Sequence, residues 1–541
     1  MAWVRYGALL LTLCAPWTAF ASDARFSFFT YEGKRQESGI AQPGPGEYVN
    51  PILAGYAPDP SVVRVKDDYY LVNSSFAHWP GLPIYHSKDL VSWKQIGNAI
   101  DRPSQIKFGD IGVSRGLFAP DISYRNGTYY IINTCVDCGG NFMITAKNPA
   151  GPWSDPVWFT FEGIDPSIFW DEDGKAYVLN NGNPDEKPRY KGHRAIWIQE
   201  LNPKTSKLEG PRTQIVNGGV DIAKQPIWIE GPHLFKTNGY YYLICAEGGT
   251  ADQHSEVVFR SRKVTGPFEP YAGNPILSQR DLPATREHPI TSAGHAKLVQ
   301  TQKGDWWAVF LAVRPYAPDR YNIGRETFLL PVTWKDGWPT ILEHGTPIPF
   351  VTKKPNLPPQ PAPTLPTSGD FRYTDNFDGQ ALSFPWIGIR SPKPGAYEIK
   401  SGDLVLSAPA FIGRRQQHHI ATVTTALTYS PEQDGDRAGL AAIASDDAQL
   451  FFGIAREKGQ TSIALIAGKT TLASTPIQPT GPVYLKLSFD GGHAEVAYAQ
   501  TQDQWITLKS GFDATFLDTH TVGGFVGTIL GVQNLNVTSR R

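Results

Sequence analysis

Asp59, Asp121 and Asp165 each sit in a turn-forming context and open a short apolar stretch, in APDPSVVRV, APDISYR and GIDPSIFW. Glu230 in EGPHLFK and His295 in GHAKLVQ occupy similar places. Each stretch runs through a turn bearing Gly or Asp into aromatic residues and a second apolar stretch, which reads as strand, tight turn, strand. Aligned on that pattern, Asp59, Asp121, Asp165, Gly231 and His295 superpose, with Glu230 one position before Gly231. A single Asp beside Pro commonly only caps a turn. Acids at matched positions of three repeats, with a fourth beside the next, carry another meaning. If the repeats surround one axis, the carboxyls meet in one cavity, where repulsion and desolvation penalise each anion. Two opposed carboxyls suit glycosidic bond cleavage: an ionised one activates water and a protonated one donates to the leaving oxygen. A third carboxylate can raise the pKa of the acid and orient it.

Elements that could bring these residues together follow from the repeat. Its hairpin segments recur at a spacing of roughly 45–65 residues, which suits the four-stranded blades of a propeller. Five repeats predict five blades. The 541 residues include 52 Gly, 45 Pro, 15 Trp, 23 Tyr and 27 Phe, a composition that favours short strands and turns, and few windows have helical periodicity. The run KKPNLPPQPAPTLPTSG at 353–369 is stiff and extended, with few donors for a sheet interior. It separates a predicted propeller domain at 22–352 from a second domain at 370–541. There, VYLKLSFDGGHAEVAYAQ and GLAAIASDDAQLFFGIA read as hairpins of a β-sandwich.

Residues 1–21 read as a secretory signal peptide: Arg5, an apolar run over 7–16, then Ala19-Phe20-Ala21 as a cleavage site. Cys14 follows Leu13, where lipidation prefers a small residue. The expectation is an exported protein, periplasmic or extracellular, with no membrane attachment after cleavage. Fifty basic and 51 acidic side chains, a net charge of −1, argue against nucleic acid as a partner. Cys135 and Cys138 have CxxC spacing with no second pair to complete a zinc site, so they read as a local disulfide or two packed thiols.

The segments NPILAGYAPDPS, GLFAPDI, GIDPSIFWDEDG, IWIEGPH, SAGHA and GRETFLLPVTWKDGWP, spanning about Asn50 to Pro347, resemble glycoside hydrolase family 43. The resemblance implies a five-bladed β-propeller working by inversion, with Asp59 as general base, Glu230 as general acid and Asp165 as the carboxylate that tunes the acid and holds the sugar. It also implies that Arg325 binds substrate. His295 would lie at the axis, where members often place a Ca²⁺ or other cation, largely water-ligated. No cofactor is implied for the chemistry itself. Phe76 and Trp79 match an aromatic sugar subsite, and Phe118 stands where many members have Trp. Asp121 could contact sugar or only fix its turn. The second domain resembles the concanavalin-like sandwich of β-xylosidase-type members. The implied activity is exo-acting release of terminal β-1,4-xylosyl and/or α-L-arabinofuranosyl units from hemicellulose oligosaccharides. Its alternatives are an endo-acting arabinanase or xylanase type, a retaining fructosidase, or a sugar-binding propeller without turnover. The xylose or arabinofuranose preference and the oligomeric state are left open by the residues.

Overall fold

A computed structural model describes residues 23–37 and 40–536; the signal segment read at 1–21 lies outside them. Five antiparallel sheets follow one another along the chain. Their innermost strands are Ser61–Val65, Asp121–Arg125, Ile164–Trp170, Glu230–Thr237 and Thr291–Gln300. Each pairs with the next strand through a tight turn, as the strand-turn-strand pattern predicts. Neighbouring innermost strands pack on one another, and the fifth closes on the first. The ring is sealed by apolar side chains between the first and fifth blades, among them Leu71, Trp93, Trp307 and Val309. Strand Glu47–Val49 pairs with Val351–Lys353, so the chain enters and leaves the propeller side by side.

The sandwich has two sheets, one running from Ala410–Arg415 to Thr470–Pro476 in its strand order and the other centred on a strand from the far N-terminus. Strand Ala24–Lys34 pairs with Ile420–Thr428 on one side and with Phe371–Asp375 and Asp403–Leu406 on the other. The expected boundary at 22–352 is therefore corrected: residues 24–34 belong to the sandwich, and the propeller begins near residue 47. The physical reason lies in ARFSFFTYEGK. Its Phe26, Phe29 and Tyr31 are buried among Leu404, Val423 and Leu485, and the strands that pair with it are strands of the sandwich. Replacing Phe29 with Ala should cost about 3–5 kcal/mol of sandwich stability, read as a lowered midpoint in denaturant unfolding of the full chain.

Residues 353–369 are extended, but they are not a free spacer. The Thr367 carbonyl accepts from the Ala54 N–H at 2.8 Å, and the Gln360 side-chain oxygen accepts from the Lys88 N–H at 2.7 Å. Leu357 packs against the core between the first and fifth blades. Strand Gly388–Ile389 of the sandwich pairs with His78–Trp79 of the first blade. The two domains are thus joined by backbone pairing as well as by the chain.

Candidate active site

The innermost strands present two tiers of side chains around the axis. Ser61, Asp121, Ser167, His233 and Lys297 hold equivalent registers, opposite Val72, Ile132, Leu179, Ile244 and Val309. Two residues earlier in each blade stand Asp59, Ala119, Asp165, Gly231 and His295. Asp121 is therefore the counterpart of Ser61, not of Asp59, which corrects the sequence alignment by two positions. The error arose because APD occurs in both APDPS and APDIS, whereas Pro120 matches Pro60 in the fold.

Asp121 does not reach the pocket, which corrects its reading as a sugar contact. Its Oδ1 accepts from the Ser61 hydroxyl at 3.0 Å and pairs with the Lys297 ammonium. Its Oδ2 accepts from the Ile168 N–H at 2.9 Å, and His233 Nδ1 lies 3.5 Å from Oδ1. It ties blades together below the site. A buried ion pair that loses one partner leaves an uncompensated charge. Lys297→Met should therefore destabilise the fold by about 3–5 kcal/mol, and the double variant Lys297→Met/Asp121→Asn should recover part of that loss in thermal melting.

The upper tier is the chemical one. Asp59, Asp165, Gly231 and His295 all have left-handed backbone, with φ of 51°, 53°, 57° and 52°. This shared corner turns the chain from loop into inner strand, and Asp tolerates it better than most residues. Glycine is required at 231, because a Cβ there would come within 2.9 Å of the His295 ring. Glu256 accepts from the Ala296 N–H at 2.8 Å and so fixes the strand that carries His295.

Asp59, Asp165, Glu230, Arg325 and His295 share one pocket of about 600 Å³. Arg325 Nη1 lies 3.1 Å from Asp59 Oδ1, and the Ser74 hydroxyl donates to Asp59 Oδ2 at 2.6 Å. Burial, then the negative charge of Asp59, pushes Asp165 up to about 7. Burial, then the charges of Asp165 and Asp59, holds Glu230 well above the usual carboxylate range. His295 Nδ1 is 4.0 Å from Asp59 Oδ1, and burial lowers its pKa, favouring the neutral ring. The arrangement offers a carboxyl held protonated, and opposite charges that fix a second carboxylate in place.

The Ca²⁺ or other cation expected near His295 is largely water-ligated, so waters rather than side chains would supply most of its ligands. Ca²⁺ takes six to eight oxygen ligands. Among the described residues no group of three or more His, Cys, Asp or Glu side chains is arranged to hold a metal. The tier below already carries the Lys297 ammonium.

Phe76 and Phe118 line the pocket as expected, 5.0 Å apart between ring centroids. Trp79 does not, which corrects its assignment to the sugar wall. It is buried in the core shared by the first and second blades, edge-on to Phe108 at 6.3 Å, on a strand that turns away to meet the sandwich. The third aromatic wall is Phe525, from the sandwich. Its ring lies 5.4 Å from Phe76 and 5.7 Å from Phe118, and the Arg325 guanidinium stacks on it at 4.6 Å. Its backbone is held by the Ser114 hydroxyl, which accepts from the Phe525 N–H at 2.6 Å, and by the Tyr56 hydroxyl, which donates to the Phe525 carbonyl at 2.7 Å. Phe525 was missed because VGGFVG reads only as a loop. Trp228 and Arg194, stacked at 4.6 Å, also line the pocket. Trp228 stands two residues before Glu230, a signal that could have found it.

Comparison with known proteins covers both domains. Residues 48–339 match Glycosyl hydrolases family 43, and residues 374–541 match the Beta xylosidase C-terminal Concanavalin A-like domain. A xylosidase/arabinosidase of Butyrivibrio fibrisolvens is 37% identical over 505 residues, covering 89% of this chain and 95% of that protein. A non-reducing end alpha-L-arabinofuranosidase of Bacteroides ovatus is 36% identical, covering 89% and 90%. The solved structure of a xylan beta-1,4-xylosidase from Bacillus halodurans superposes with a TM-score of 0.82 at 30% identity, covering 91% of this chain and 97% of that one. The chain belongs to glycoside hydrolase family 43, and it is a glycosidase built as a propeller with a concanavalin-like sandwich.

Proposed function

We propose that the enzyme is an exo-acting, inverting glycosidase that removes a terminal pentose, β-1,4-xylosyl and/or α-L-arabinofuranosyl, from hemicellulose oligosaccharides. The observation that carries this reading is the pocket itself: Asp59, Asp165 and Glu230 line it together with Phe76, Phe118 and Phe525 of the sandwich. Such an aromatic wall suits a chain end and obstructs a polymer running through. Asp59 takes a proton from water as the water oxygen bonds to the anomeric carbon. Glu230 gives its proton to the leaving oxygen as the glycosidic C–O bond breaks. Both groups then exchange protons with solvent. Asp165 keeps Glu230 protonated and receives sugar hydroxyls, while Arg325 orients Asp59 and the sugar together.

Relatives named for xylosidase, arabinosidase and arabinofuranosidase support both pentoses. Export fits the Cys135–Cys138 disulfide, since such bonds persist in oxidising compartments. The test is hydrolysis of aryl β-D-xylopyranoside and aryl α-L-arabinofuranoside, with Glu230→Gln as control and the product anomer followed by NMR. Turnover of either with inverted product supports the reading; no turnover of either, or retained configuration, overturns it. Phe525→Ala should raise KM about tenfold with a smaller change in kcat, because it removes one wall of the sugar site and leaves the carboxyls in place.

A further inference from the structure

A second cavity, of about 350 Å³, lies between the first blade, the 353–369 segment and the sandwich, and it shares no lining residue with the catalytic pocket. Its walls are largely apolar, with Leu365, Pro366, Leu382 and Phe384 among them. Its polar lining is one-sided: Lys94, Arg414 and Arg415 contribute three cations, and no Asp or Glu among the described residues lines it.

Arg414 is the unusual member. It is 3% exposed, its guanidinium stacks on Tyr373 at 4.5 Å, and among the described residues its Nε and Nη1 have no hydrogen-bond acceptor. A buried charge without a partner is costly, and proteins normally pair it. This chain does so elsewhere: buried Arg314 is paired with Glu37 and Glu326, and Arg325 with Asp59. Burial lowers the pKa of Arg414, offset in part by Tyr373, Tyr31 and the Asp375 carboxylate, which itself accepts from Tyr373, Phe377 and Trp386. Arg415 is already engaged, with Nε donating to the Tyr56 carbonyl at 2.7 Å. Lys94 forms no ion pair among the described residues and stands exposed at the rim.

We propose that this interdomain cavity binds a small carboxylate carried on a ring with an apolar face, anchored by Arg414. A guanidinium donates paired hydrogen bonds to a carboxylate, and an exposed aromatic can stack on a ring. Phe384, 46% exposed, supplies that surface. On its other side lies a separate cavity lined by Asp101 and Glu398, so the charge of a ligand belongs on the Arg414 side. Sugar acids and aromatic acids share this chemistry.

The experiment is isothermal titration of the full-length protein with D-glucuronate and with 4-hydroxycinnamate, each beside its neutral counterpart, D-glucose and 4-hydroxycinnamamide. The expected result is saturable one-to-one binding of at least one acid, about tenfold or more tighter than its neutral counterpart. Binding of glucuronate alone identifies a sugar-acid site, and of 4-hydroxycinnamate alone an aromatic-acid site. The binding should fall about tenfold or more in Arg414→Met, fall several-fold in Lys94→Met, and persist in Glu230→Gln. Should Arg414→Met not fold, the rim variants Lys94→Met and Phe384→Ala decide. No binding of either acid, equal binding of acid and neutral counterpart, or binding unchanged in the cavity variants overturns the proposal.

Discussion

Replacing Glu230 with Gln should lower kcat/KM for pentosides with poor leaving groups by about 10³-fold, with the melting temperature nearly unchanged. The amide keeps the shape of the side chain but cannot hand over a proton. The loss should shrink to about tenfold for 2,4-dinitrophenyl pentosides, whose leaving group departs without protonation. The wild-type pH profile carries the same information. Glu230 is held well above the usual carboxylate range, and Asp165 is pushed up to about 7, by burial and by the charges of the neighbouring acids. Acid catalysis needs the protonated form, so activity should fall as pH rises through this joint titration, and the alkaline limb should vanish in Glu230→Gln. Assays of both leaving groups between pH 4 and pH 9 check the pattern. An equal loss for both leaving groups would exclude Glu230 as the acid.

Asp59→Asn should behave differently. Water must be activated whatever group leaves, so the loss of about 10³-fold should be the same for good and poor leaving groups. A second effect follows from charge. Asp59 raises the pKa of both Asp165 and Glu230. Removing it should move the alkaline limb of the residual activity to lower pH. A limb that stays put or moves upward would show that the three carboxyls do not share one electrostatic environment.

The parts of the site that a reader of the sequence could find are those written in local chemistry. Asp59, Asp165 and Glu230 stand at the start of inner strands, beside Pro or Gly, because the chain must take one particular corner there. The repeat made those corners countable. Asp121 shows the limit: a two-residue slip places it in the pocket on paper, while in the fold it lies one tier lower, paired with Lys297. Trp79 and Phe76 are three residues apart and chemically alike, yet only Phe76 faces the pocket, since the short strand at 78–79 is drawn off to the sandwich. Phe525 and strand Ala24–Lys34 depend on contacts across hundreds of residues, and neither has a local pattern that says which surface it will meet.

The pairing of Ala24–Lys34 has a consequence for synthesis. The central strand of the sandwich sheet emerges from the ribosome before the propeller, and its main partner, Ile420–Thr428, emerges only after it. At roughly 5–20 residues per second, the wait is on the order of tens of seconds. Among the described residues, the apolar side chains that pack with Phe26, Phe29 and Tyr31 from outside their own strand all lie beyond residue 370. The propeller is in effect an insertion between two pieces of one sheet, and a chain cut after residue 352 keeps all five blades but carries an orphaned, aggregation-prone ribbon. A propeller expressed alone should accordingly begin near residue 47.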